Sequence, residues 1–143
     1  MVKDHKDIRK ETLGRVRRIV VKVGSSILAS VEKGLNHRAF AHLAREISEL
    51  KHQGYEIALV SSGAIAAGMG KLGYKSRPQS ITQKQAAAAV GQSRLMNIYD
   101  GHFSHHQQMV AQVLLTRDDL SHRQRFLNAR NTLITLLEWG IIP

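Results

Sequence analysis

The amino-acid sequence predicts an α/β fold built on a mainly parallel sheet, and three observations carry that prediction. Arg18–Val23, read RIVVKV, is a run of β-branched apolar residues broken by one lysine, the composition of a buried strand. From Asn36 the apolar residues Phe40, Leu43, Ile47 and Leu50 recur at helical spacing as far as Gly54, so an amphipathic helix is expected between a polar cap and a glycine stop. Ile57–Val60 is a second short apolar run. Strand, helix and strand in that order make one βαβ unit with parallel strands and a right-handed crossover.

The residues before the first strand are mixed in charge and poor in apolar positions, a helical or frayed lead-in. Within the strand Lys22 is the anomaly. A charged side chain there is costly to bury unless an anion meets it, which points Lys22 off the carboxyl end of the strand at a phosphate. The alternative is a partly exposed strand whose lysine reaches solvent. Gly24 then permits close backbone approach, and Ser25 and Ser26 offer amides and hydroxyls. Residues Ala29–Leu35 read as a polar connection. The second strand ends in Ser61-Ser62-Gly63 followed by Ala64-Ile65-Ala66-Ala67-Gly68, repeating the strand, small polar turn and helix of the first. In a parallel sheet both turns fall at the same carboxyl edge, where helix amino ends gather into an anion site. Small residues are also selected by close helix packing. That reading is preferred for Gly68, and the ligand reading for Ser62 and Gly63.

Beyond a loop containing Gly73, Tyr74, Ser76 and Pro78, Thr82-Gln83-Lys84-Gln85 has a capping-box pattern opening a long helix through Val90, Leu95 and Ile98. Its alanine block with Gly91 implies a close helix contact, internal or between subunits. Met109–Leu115 is a third apolar run. The adjacent Asp118 and Asp119 are read as capping or pairing with Arg117 rather than as metal ligands. Ser121 and Gln124 form another capping-box pattern before a helix with Phe126, Leu133, Leu136 and Leu137 as its buried stripe. Ile141-Ile142-Pro143 begins a fourth apolar run, so the chain is expected to be truncated as a core strand begins. His102, His105 and His106 read as a solvated helix end, and no metal-ligating residue is assigned.

Composition narrows the function classes. A chain of 143 residues suffices for one domain burying about 70% of its unfolded surface. It has no cysteine, which fits a reducing compartment. No apolar run approaches the ~20 residues of a membrane span, and the amino terminus lacks the apolar core of a signal peptide. A cytoplasmic protein with no membrane partner is therefore expected. The net charge of +10 suits a polyanion, but the basic residues are scattered. With three tyrosines, three phenylalanines and one tryptophan for stacking, nucleic acid ranks below a small phosphorylated ligand. There is no Walker-type loop, no serine–histidine–aspartate set and no internal repeat.

Five blocks then point to a family. Val21-Lys22-Val23-Gly24-Ser25-Ser26, Val60-Ser61-Ser62-Gly63 with Ala64–Gly68, Lys84-Gln85 with Ala88–Leu95, Gln112–Arg117 and Arg125–Arg130 together resemble the glutamate 5-kinase (gamma-glutamyl kinase) family of the amino-acid kinase superfamily, in the family's order. The resemblance implies a three-layer α/β/α sandwich, with residues 1–17 a lead-in and 18–143 the glutamate-binding half of a truncated kinase domain. It implies transfer of the ATP γ-phosphoryl group to the side-chain carboxylate of L-glutamate, the first step of proline biosynthesis, with Mg2+ on the nucleotide and a dimer or tetramer as the intact enzyme. Under it Lys22 is the catalytic residue contacting the ATP phosphates, Gly24 and Ser25 help cradle them, and Ser62 binds glutamate beside the Gly63 turn. Lys84, Asn128 and Arg130 match the pattern without an assigned role. Complete members continue past Pro143 into the nucleotide-binding half, so this chain alone is expected to have little or no kinase activity. The alternatives are another amino-acid kinase (carbamate, uridylate or aspartate kinase) or a non-catalytic basic module binding a polyanion or partner.

Overall fold

The computed structural model describes residues 14–30, 34–74 and 76–143; most of the expected lead-in at 1–17 lies outside them. The elements in order are β1 (Arg18–Val23), α1 (Ser25–Leu28), β2 (Ala29–Ser30), β3 (Gly34–Leu35), α2 (His37–His52), β4 (Glu56–Ser61), α3 (Ala64–Leu72), α4 (Ile81–Ser104), α5 (Arg117–Ser121) and α6 (Arg123–Glu138).

β1 and β4 pair in parallel from Arg18 opposite Glu56 to Val23 opposite Ser61. This is the expected βαβ unit, and it brings both polar turns to one edge. The sheet continues past β4 by single-residue links. The Leu59 N–H donates to the Pro143 carbonyl at 2.9 Å, the Ile142 N–H to Met109 at 2.9 Å, and the Ala111 N–H to Ile142 at 3.0 Å, with Val110 and Ile142 bridged in parallel. The fourth apolar run is thus a core element, and Ile142 is fully buried. The third contributes little: Met109, Leu114 and Leu115 are exposed. The connection after α1 holds a short antiparallel pair, with Ala29 opposite Leu35.

Asn36 caps α2 by accepting the Ala39 N–H at 3.2 Å. Phe40, Ala44 and Ile47 go into the core with Val23, Leu28, Ile57, Leu95, Tyr99 and Phe103, a burial that supplies roughly 1.5–3 kcal/mol per large apolar side chain. Residues alternate along β1, so Ile19, Val21 and Val23 meet this core while Val20 lies on the other face. Val20 is 64% exposed and Val60 51%. The expectation of a buried first strand therefore holds for one face, because α2 and α4 pack against that face alone.

The close contact predicted from the alanine block is internal. A Cβ on Gly68 would stand 1.8 Å from the Ala87 carbonyl oxygen, and one on Gly91 would stand 1.9 Å from that of Ala64. α3 and α4 thus touch backbone to backbone, which only glycine allows.

Two caps fall elsewhere than expected. α4 opens at Ser80, whose hydroxyl accepts the Gln83 N–H at 3.2 Å; Ser80 and Gln83 carry the same spacing as Thr82 and Gln85, and the upstream pair wins. Ser121 instead donates its hydroxyl to the Arg117 carbonyl, and α6 starts at His122 without a side-chain cap. The Asp118-Asp119 pair is a cap as expected: Asp119 and Thr116 close a capping box at the start of α5. Phe126, expected in the stripe of α6, is 44% exposed, whereas Leu137 is buried. His102 is not simply solvated. Its ring lies parallel to that of Phe40 at a centroid distance of 6.3 Å, and burial followed by the charges of His37 and His105 holds its pKa below the ordinary range. Among the described residues no helix is long and apolar enough to cross a membrane.

Candidate active site at the carboxyl edge of the sheet

The two polar turns are tied to each other. Both the Ser62 amide and the Ser62 hydroxyl donate to the Val23 carbonyl, each at 3.2 Å, so the end of β4 is pinned to the end of β1. Gly24 then caps α1 in an extended conformation. A Cβ at Gly24 would touch only the Ser26 hydroxyl, at an ordinary 3.9 Å, so this backbone is not crowded. On the other side Gly63 has φ +133°, which side-chain-bearing residues rarely adopt, and it starts α3 without a side-chain cap. The first amides of α3 therefore have no intrahelical acceptor.

Ser25, Ser26, Ser62, Gly63, Met69 and Arg77 line one cavity of about 480 Å3, closed by Ala29 and the first turn of α3. Hydroxyls, orphan amides and a guanidinium around an apolar floor suit an organic anion. Among the described residues no aspartate, glutamate or histidine lines this cavity, so its described wall offers no carboxylate or imidazole base. That set fits a nucleophile already ionised at neutral pH, such as a carboxylate.

Behind the same turn lies a smaller cavity of about 170 Å3, lined by Ser61, Gln92, Tyr99, Gln112 and Ile142 among others and sharing Ser62 and Gly63 with the first. Here the Ser61 and Tyr99 hydroxyls are 2.6 Å apart. Burial raises the Tyr99 pKa, and the Ser61 bond partly opposes it. The last residue of β4 is thereby anchored to α4 one position before Ser62.

Of the site residues read from the sequence, Ser25, Ser62 and Gly63 come together around the larger cavity, and Gly24 sits at its rim in the chain. Lys22 is exposed and lines neither cavity. Its strand position pairs with Val60, on the same sheet face as Val20. Lys84, Asn128 and Arg130 line neither cavity; Asn128 accepts from Gln124 on the surface of α6. Arg77 and Tyr99 were not singled out by sequence. A lone arginine in a polar loop carries no pattern, whereas Tyr99, four residues from both Leu95 and Phe103, announces a buried hydroxyl needing a partner. No group of three or more potential metal ligands exists among the described residues.

Fold and site together define an α/β protein whose polar turns converge at the carboxyl edge of a parallel sheet, the position where such sheets bind ligands. Residues 17–143 match the Amino acid kinase family, and the chain belongs to that family. It is 56% identical over 95% of its length to the glutamate 5-kinase of Geobacter metallireducens. It is 53% identical over 95% to that of Geobacter sulfurreducens and 50% identical over 94% to that of Teredinibacter turnerae. The chain spans about 36% of the length of these curated relatives.

Proposed function

We propose that this chain supplies the acceptor half of a glutamate 5-kinase, the cytoplasmic enzyme that phosphorylates the side-chain carboxylate of L-glutamate at the start of proline biosynthesis. The reading rests above all on the pinning of Ser62 to the end of β1, which puts the Ser62–Gly63 turn and the Gly24–Ser25 turn beside one cavity. In it the Ser62 hydroxyl, turning on binding from the Val23 carbonyl, which keeps the Ser62 amide as donor, joins the amides that open α3 in holding the glutamate. The amides around Gly24 and Ser25, with Lys22 at the end of β1, face the ATP phosphates. The uncrowded Gly24 backbone beside the Ser26 hydroxyl is compatible with a phosphate there.

The side-chain carboxylate attacks the γ-phosphorus, the bond from that phosphorus to the β–γ bridging oxygen breaks, and ADP leaves carrying the electron pair of that bond. No proton has to be removed from the nucleophile, so the protein supplies position and positive charge. Mg2+ on the nucleotide would neutralise charge on its phosphates. In this reading the ion is carried by ATP.

Calorimetric titration tests the proposal. L-glutamate should bind, and Ser62→Ala should weaken it by about tenfold, the worth of a hydrogen bond to a charged group. The Val23 carbonyl keeps the Ser62 amide as a donor in that variant, so the fold survives. Preference for L-aspartate, carbamate or a uridine nucleotide would move the reading to another amino-acid kinase. Steeply salt-dependent binding of nucleic acid without any effect of ATP would replace it with a polyanion-binding module.

A further inference from the structure

The mechanism above leaves one charged side chain of the larger cavity without a task. Arg77, in the connection between α3 and α4, lines that cavity with Ser25, Ser62 and Gly63 and is the one charged residue among the described ones that does so. Among the described residues its guanidinium takes part in no hydrogen bond or ion pair. Arg18 pairs with Glu56 at 2.5 Å and Arg45 with Glu46 at 3.0 Å, whereas Arg77 is an exposed side chain set beside the cavity. A guanidinium left free beside a cavity carries a rigid fork of donors matched to a carboxylate.

We infer that Arg77 holds the carboxylate of the acceptor that does not react, and so selects a dicarboxylic acid for this cavity. The inference rests on the acceptor-site reading above. The acceptor has two carboxylates with opposite requirements. The one that attacks must turn a lone pair to the phosphorus, and a two-pronged guanidinium pair would compete for both of its oxygens. The other takes no part in bond making and accepts a static pair without loss. Arg77 also comes from a different segment than the two turns at the sheet edge, which lets it grip one end of a ligand whose other end lies against Ser62. Lys22, on the open face of the sheet, is not available for this role.

Calorimetry on the 143-residue chain and its Arg77→Gln variant tests this with three ligands: L-glutamate, glutarate (both carboxylates, no amine) and 4-aminobutyrate (no α-carboxylate). Arg77→Gln should weaken L-glutamate and glutarate by at least about tenfold and leave 4-aminobutyrate unchanged, while Arg77→Lys recovers part of the loss. The thermal midpoint should stay within about 2 °C, since the side chain makes no internal bond. Equal losses for all three ligands, no loss for any, or a loss confined to MgATP would each overturn the assignment. If the wild-type chain ignores L-glutamate but binds glutarate in an Arg77-dependent way, the glutamate reading fails and the carboxylate role of Arg77 stands. If it binds neither dicarboxylate, the assignment of Arg77 is wrong.

Discussion

Two residues at the turn after β4 divide the work between them. Ser62 ties the strands together through two bonds to one carbonyl, and Gly63 turns the chain into α3 with a φ of +133°. Strain, not crowding, fixes the glycine, because an added Cβ would find its nearest neighbour, Leu95, at an ordinary 3.8 Å. Gly63→Ala should therefore cost about 1–3 kcal/mol, read as a lower urea midpoint with an unchanged slope, and should weaken L-glutamate along with it. At the start of α5, bonds from the Thr116 hydroxyl and then the Thr116 amide hold the Asp119 pKa below its ordinary value. The stabilisation is fully present above the ordinary aspartate range and is lost as pH falls through the depressed value. Protection of the α5 amides, taken against the intrinsic exchange rate at each pH, should accordingly fall at acid pH, and Asp119→Asn should abolish that change in protection.

At the scale of the element, what was legible in the sequence followed from local chemistry. Asn36, the α2 stripe and the α3–α4 contact at Gly68 and Gly91 each have a cause within a few residues of themselves. What was not legible depended on choices between equivalent local signals or on tertiary partners. Ser80 and Thr82 open equally good capping patterns. Ser121 has capping spacing yet is consumed by the end of α5, and Phe126 has helical periodicity yet stays 44% exposed. At the site, the serines and glycines of the turns were legible because small residues after apolar strands have a mechanism. Arg77 was not, since only the fold brings its loop to the cavity, and the open face at Lys22 reflects which helices pack where. Two substitutions probe the elements. Gly68→Ala drives a methyl into the Ala87 carbonyl and should cost about 3 kcal/mol or more, enough to lose the cooperative thermal transition. Ser48→Ala should do the reverse: its hydroxyl is buried on α2 with no hydrogen-bond partner, so removing it should raise stability by about 1 kcal/mol in denaturant unfolding.

Across the whole molecule, one face of the sheet carries the core and the other presents Val20 and Val60 to solvent, while the polar turns share the edge between them. The parallel pairing of β1 with β4 is what makes a site out of two distant stretches of sequence. Were the strands antiparallel, Ser25 and Ser62 would lie at opposite ends of the pair. An amide shift map of the 15N-labelled chain titrated with L-glutamate tests this most directly. The largest changes are expected at Ser25, Ser62, Gly63 and Arg77, with Val20 and Val60 unmoved. Changes centred on Val20 and Val60, or no change at Ser62 and Gly63 at saturating L-glutamate, would contradict the account.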